Sequence, residues 1–281
     1  MNENLKNINW YPGHMKKTRE LIQANLKMVD VVVEVVDARI PRSSRNPIIN
    51  ELVGSKQRVV VLNKVDLADQ EATKAWTEEF KKQGYLVVAA NCSSGNGVNQ
   101  LLSVLGKYQD ERNAELARKR TIRMMIVGVP NVGKSSLINR LLGRKAAQTG
   151  DRPGVTKGKQ WLTLSNGMQL LDTPGILWPK FEDPQVGLNL AYCGAIKDET
   201  MDLATLALEL IGELQEKYPN ELMERYKLPE LMEMPLDNME EIARKRGFIM
   251  SGKRIDYERT ARTVLDEFRS ATIGRITLEQ V

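Results

Sequence analysis

The chain has few residues that bind metals or cross-link. Among 281 residues it holds two cysteines, Cys92 and Cys193, and one histidine, His14. Two distant cysteines and one distant histidine cannot supply the four ligands of a structural zinc site. They also lack the spacing of a disulfide framework, and a reducing, cytosolic compartment fits. Long apolar runs are missing too. The longest, residues 29–36, is broken by Asp30 and Glu34, so no segment reads as a membrane span. No basic stretch leading into an apolar core opens the sequence, and no signal peptide is expected. Internal repeats and low-complexity tracts are absent. What is present is the composition of a soluble globular protein, 42% hydrophobic and 27% charged, with length for one large domain or two ordinary ones. A net charge of +5 and a pI of about 9.1 permit a nucleic-acid partner without requiring one.

The strongest motif is Gly128-Val129-Pro130-Asn131-Val132-Gly133-Lys134-Ser135-Ser136. It has the pattern G-x-x-x-x-G-K-S between an apolar, strand-like run and a helix-like run. That is a phosphate-binding loop. Its glycines allow a tight concave turn whose N–H groups, with the helix N-terminus behind them, bind phosphate. Lys134 is placed to reach the β- and γ-phosphates, and the Ser135 hydroxyl to reach Mg²⁺. Val132, Gly133 and Ser136 complete the cradle.

Strands alternate with helices around this loop. The run Val31-Val32-Val33-Glu34-Val35-Val36-Asp37 reads as a buried strand, and residues 58–62, 85–90 and 123–127 as further strands. Helices are expected over residues 69–83 and 98–116. Residues 160–164 and 168–171 form a hairpin pair around Asn166-Gly167. Near the start, Met15, Ile22, Leu26 and Val29 share one helical face. The expectation is an α/β domain with a mostly parallel sheet and helices on both faces. After about residue 179 no strand-like run appears. Helices are expected near 187–196, 201–217, 220–226, 239–245 and 256–269. In the last, Tyr257, Ala261, Leu265 and Phe268 make the apolar stripe. Residues 1–178 therefore read as a nucleotide domain with an N-terminal turn-helix extension, and residues 179–281 as a smaller all-α domain.

Asn63-Lys64-Val65-Asp66 ends the second strand. A carboxylate accepts two hydrogen bonds at once, and guanine offers N1–H and the 2-amino group side by side, so Asp66 reads as a guanine discriminator. Asn63 can bind the base edge or brace the phosphate loop, and the Lys64 stem can cover the base face. Asn91-Cys92-Ser93, at the next strand end, has backbone N–H groups for guanine O6. Asp172-Thr173-Pro174-Gly175 supplies a carboxylate for Mg²⁺ and, in Gly175, an N–H for the γ-phosphate. Thr156, in a Gly- and Pro-containing stretch, is the second Mg²⁺ hydroxyl.

These motifs are those of GTPases in a permuted order: base reading precedes the phosphate loop, and Asp172-Thr173-Pro174-Gly175 comes last. With Trp10-Tyr11-Pro12-Gly13-His14-Met15 and Asp37-Ala38-Arg39-Ile40-Pro41, the sequence resembles the circularly permuted GTPases of the RbgA/YlqF type over essentially its whole length. Tyr11 stands where that family carries Phe. The resemblance implies a GTP/GDP-binding hydrolase that uses Mg²⁺, expected to be slow alone and stimulated by the ribosomal subunit. It also implies late assembly of the large (50S) ribosomal subunit through contact with rRNA. The expected form is a cytoplasmic monomer without a membrane partner. Two other readings stand beside it: a nucleotide-gated, non-enzymatic RNA-binding scaffold, and a permuted GTPase of small-subunit assembly.

Water activation is open at this point. The position that carries Gln in Ras-like GTPases is Ile176, which cannot orient water. His14 either orients the nucleophile, as the resemblance implies, or caps the N-terminal helix. Asn131 either helps hold K⁺ beside the phosphates, as in related GTPases, or shapes the loop. For RNA the candidates are Lys16, Lys17 and Arg19, and then Arg244, Lys245, Arg246, Lys253, Arg254, Arg259 and Arg262. Clustered cations bind phosphate backbone without reading bases. The alternative is a solvated charged face.

Overall fold

A computed structural model of the chain describes residues 20, 22–114, 116–143, 161–171 and 183–281. His14, Lys16, Lys17, Arg19, Thr156, Asp172, Gly175, Ile176 and Met15 lie outside the described residues.

The described α/β part is a six-stranded sheet. Its strands are β1 (Val31–Asp37), β2 (Gln57–Asn63), β3 (Leu86–Ala90), β4 (Arg123–Val127), β5 (Trp161–Thr163) and β6 (Gln169–Leu171). They lie in the order β3-β2-β1-β4-β6-β5. All neighbours are parallel except the β5/β6 hairpin. Every residue of β1 is buried, as expected of a central strand covered on both faces. The helices of this part are α1 (Pro47–Val53), α2 (Gln70–Lys82), α3 (Val98–Ala114) and α4 (Lys134–Leu142). Asp69 caps α2 by accepting from Ala72 N–H at 2.8 Å. α1 has no counterpart in the periodicity, because seven residues are too few to establish one.

The phosphate-loop strand β4 is fourth in the chain but third from the β5 edge. From β1 the chain winds outward through β2 and β3. From β4 it goes the other way, to the edge strand β5 and then back to β6 beside β4. The crevice between β1 and β4 is therefore the topological switch point, where open α/β sheets bind ligands at their strand C-terminal ends.

Five helices follow: α5 (Pro184–Tyr192), α6 (Leu203–Lys217), α7 (Pro219–Tyr226), α8 (Pro235–Arg246) and α9 (Tyr257–Arg269). They match the expected helices within a few residues. Ala261, Leu265 and Phe268 are buried as the stripe requires, joined by Thr260 and Val264. Tyr257 departs from it. It is 37% exposed and its hydroxyl donates to Glu240 at 2.6 Å, because it opens the helix before the first inward-facing turn. One apolar cluster joins Val31, Val33 and Val35 of β1 to Leu206, Leu210, Leu265 and Phe268 of the helical region. Burying that shared surface stabilises at roughly 25 cal/mol per Å².

Residues 273–280 have no regular structure and still pack tightly. Ile276, Thr277 and Leu278 are 1%, 0% and 2% exposed. They run between the helical region and the loops that end β1 and β2.

Candidate nucleotide site

The phosphate loop is shaped by two close approaches. A Cβ on Gly128 would sit 2.5 Å from the Val35 carbonyl oxygen, and one on Gly133 would sit 2.2 Å from Asn63 Nδ2. Gly133 also has φ 106° at the N-terminus of α4, a conformation L-residues rarely adopt. Lys134 is buried, and its Nζ donates to the Val129 carbonyl at 2.7 Å. The ammonium thus lies across the loop, where phosphate oxygens would meet it. Ser135 and Ser136 follow in the first turn of α4.

Asn63 ties the site together. Its Nδ2 donates to the Val132 carbonyl at 2.7 Å, and its Oδ1 accepts from Cys92 N–H at 2.9 Å. Of the two roles open to it, the amide takes the bracing one. The phosphate loop, the end of β2 and the loop after β3 are thereby fixed to one side chain. The third loop is closed on itself as well. Ser93 and Ser94 N–H both donate to Asn91 Oδ1 at 3.0 Å, and Arg140 of α4 donates to the Ser93 carbonyl. The Cys92 thiol is buried and its pKa is pushed up to about 12 by burial, so it is a packing group. Asp66 is exposed, and Lys64 occupies the left-handed region at φ 62°.

Beneath this turn lies a buried ion cluster. Asp37 Oδ1 accepts from Arg39 Nε at 2.9 Å and Oδ2 from Arg39 Nη2 at 2.7 Å, and Lys64 Nζ lies 2.9 Å from the same Oδ2. Burial pushes the Asp37 carboxyl up, but the Arg39 and Lys64 charges outweigh it and hold it well below the usual carboxylate range. Arg39 is held charged by Asp37 despite its own burial. Asp37 and Arg39 entered the sequence reading only as part of a family signature. Their chemical role was visible in one respect, a carboxylate at the end of the strand beside the phosphate-loop strand.

Asn131, at φ 57°, reaches out of the loop. Its Nδ2 donates to the Gly194 carbonyl at 2.8 Å, just after α5. Arg269 of α9 braces the same corner, donating to the Tyr192 and Ala191 carbonyls at 2.9 and 3.0 Å and pairing with Asp198 at 2.8 Å.

The basic residues of the helical region are less uniform than their sequence suggests. Arg244 pairs with Glu240 at 2.6 Å, Arg246 with Glu267 at 2.9 Å and Arg262 with Glu258 at 2.8 Å. Arg259 stacks on Phe248 at 4.5 Å. Lys245, Lys253 and Arg254 are exposed, with no ion-pair partner among the described residues.

A phosphate loop at the switch point, tied by Asn63 to the Asn63-Lys64-Val65-Asp66 turn that precedes it in the chain, defines a circularly permuted P-loop GTPase. Comparisons with known proteins agree. The family model described as "50S ribosome-binding GTPase" matches residues 123–234. Ribosome biogenesis GTPase A of Bacillus cereus is 47% identical over 276 residues, covering 97% of this chain and 93% of the relative. GDP-bound TM YlqF superposes with a TM-score of 0.71 at 30% identity, covering 92% of this chain and 98% of that one. GNP-bound YlqF from T. maritima gives 0.65 at 32% identity, covering 94% and 98%. The chain belongs to the ribosome biogenesis GTPase A (RbgA/YlqF) family. It is a GTP-hydrolysing ribosome assembly factor, and GTPases of this class use Mg²⁺.

Proposed function

We propose that the chain binds a late precursor of the large ribosomal subunit through rRNA in its GTP state and leaves after hydrolysis. Residues 1–178 act as the nucleotide domain and 179–281 as the helical, ribosome-contacting domain, in a cytoplasmic monomer. The observation that carries the nucleotide part is the Asn63 amide, bonded at once to Val132 and Cys92. It sets the base-reading turn at a fixed distance from the phosphate cradle. Asp66 then takes guanine N1–H and the 2-amino group, and the Lys64 stem covers the base. Guanine O6 meets the N–H groups of Asn91, Cys92 and Ser93. Val132, Gly133, Lys134, Ser135, Ser136 and Gly175 bind the phosphates.

Ser135, Thr156 and Asp172 would hold Mg²⁺, which would offset the phosphate charge. The helix N-terminus and the buried Lys134 ammonium suit the charge of that assembly. Asn131 offers its oxygen to K⁺ while its Nδ2 stays on Gly194, and His14 positions the attacking water. Basic residues at both ends of the chain, from Lys16, Lys17 and Arg19 to Lys245, Lys253 and Arg254, contact rRNA phosphates.

The description of the matching family as 50S ribosome-binding supports the large subunit as target. The test is GTP turnover alone, with large-subunit precursors and with small subunits. The expected result is stimulation by the first only. Equal stimulation by both, or by neither, rejects the proposal. Comparing K⁺ with Na⁺ in the same assay decides the role of Asn131.

A further inference from the structure

The guanine-reading turn is short, and its last residue, Asp66, is exposed. Something must hold its backbone still. The structure supplies a brace from the far end of the sequence. Ile276 N–H donates to the Leu67 carbonyl at 3.3 Å, one residue beyond Asp66. Asp69 N–H donates to Thr277 Oγ1 at 3.2 Å, and the same hydroxyl donates to the Ala38 carbonyl at 3.1 Å. Leu278 N–H donates to the Arg39 carbonyl at 2.8 Å. Three consecutive residues thus bond to the turn after β2 and to the loop after β1, with Thr277 joined to both. Those two loops also hold the Asp37–Lys64 pair.

The brace is itself clamped on its outer side. Tyr218 Oη accepts from Thr277 N–H at 3.1 Å and donates to the Thr277 carbonyl at 2.9 Å. Trp76 Nε1 donates to the Glu279 carbonyl at 2.9 Å. The Glu279 carboxylate accepts from Ser43 N–H at 3.0 Å, Asn189 Nδ2 at 3.1 Å and the Ser43 hydroxyl. Nothing in this set touches the phosphate loop.

We infer that residues 276–279 are a positioning element for guanine recognition, with Thr277 as its central residue. Thr277 joins Ala38 to Asp69 through one hydroxyl and so fixes where the Asp66 carboxylate sits against the base. This rests on the assignment of Asp66 as the guanine reader. The element acts on base selectivity and leaves the chemical step alone.

Inosine diphosphate separates the two effects, because it keeps N1–H and the phosphates but lacks the 2-amino group. Affinities for GDP and IDP are measured for the wild-type chain, Thr277→Val and Tyr218→Phe, with thermal unfolding as the check on folding. Thr277→Val keeps the side-chain shape and removes the hydroxyl. GDP affinity is expected to fall about tenfold, the size of one misplaced charge-assisted hydrogen bond, and IDP affinity by about threefold at most. KM for GTP rises correspondingly while kcat stays put. Tyr218→Phe gives the same change in smaller measure, and it decides the matter if Thr277→Val does not fold. An unchanged GDP:IDP ratio in a folded variant, or equal loss of both nucleotides, overturns the inference. Asp66→Asn is measured alongside with xanthosine diphosphate. If that variant does not exchange guanine for xanthine preference, the assignment of Asp66 fails, independently of Thr277.

Discussion

β1 carries two buried carboxylates three residues apart, and they live differently. Asp37 ends the strand, and both its oxygens are engaged by Arg39 and Lys64. Glu34 lies mid-strand on the opposite face. One of its oxygens takes Arg45 at 3.0 Å and Arg58 at 3.3 Å, and Oε1 is buried without a hydrogen bond among the described residues. Each carboxylate faces two cations, yet the clusters lead to different places. Arg45 and Arg58 end on the Tyr85 ring, at 4.6 and 5.4 Å. Lys64 belongs to the turn proposed to read guanine. A buried ion cluster is weak evidence of function by itself. The informative feature is what its cations continue into, and of these two only the Asp37 cluster continues into the turn proposed to read guanine.

The largest effect should come from Asp37→Ala, which leaves Arg39 charged and uncompensated in the interior. It is expected to cost about 3–5 kcal/mol in urea unfolding, with weakened GDP binding in whatever fraction folds. If GDP affinity survives intact, the two clusters are equivalent and the contrast is broken. Glu34→Gln keeps the shape and one acceptor. Its expected cost is about 1–3 kcal/mol, with GDP affinity within about twofold of wild type, since no binding residue touches it. A larger drop in affinity would make Glu34 part of the site.

The pH dependence sharpens the same contrast. Asp37 is held below its unfolded value, so its contribution is present above about pH 4. It is lost as pH falls below that, because the unfolded chain then takes up a proton that the folded one refuses. Asp37→Asn should flatten the acid limb of a stability-against-pH curve. A limb as steep as wild type would mean that other carboxylates set it. The smallest effect is Tyr85→Leu, which removes the ring under Arg45 and Arg58. About 0.5–2 kcal/mol is expected, with nucleotide binding untouched.

Much of this molecule was legible in the sequence because its signals are local. The loop at Gly128 to Ser136 carries its glycines and lysine at fixed spacing. β1 is β-branched throughout. The helices from Leu203 onward show periodicity that caps and burial bear out. The order of motifs even carried the permuted topology, since Asn63 precedes Lys134. What stayed hidden is non-local. Residues 273–280 have no period and no motif, and their burial depends on loops that lie more than 200 positions away, as the Thr277–Ala38 bond with a separation of 239 illustrates. The pairing of Arg244, Arg246 and Arg262 with glutamates was half visible, since Glu240 and Glu258 stand at helical spacing from Arg244 and Arg262. The Arg246–Glu267 pair required the fold. The link from Asn131 to Gly194 was likewise invisible, because a backbone carbonyl leaves no mark in a sequence.

The brace at residues 276–279 also has a meaning in time. The turn at Asn63 to Asp66 is synthesised well before the residues that hold its backbone, which lie about 200 positions later. At about 5–20 residues per second, some 200 residues separate the two by roughly 10–40 s. During that interval β1, β2 and β3 can pair, since their partners are close in the chain. Leu67, Ala38 and Arg39 meanwhile present carbonyl groups whose partners do not yet exist. A nascent chain therefore carries the turn at Asn63 to Asp66 well before it carries the residues that brace it.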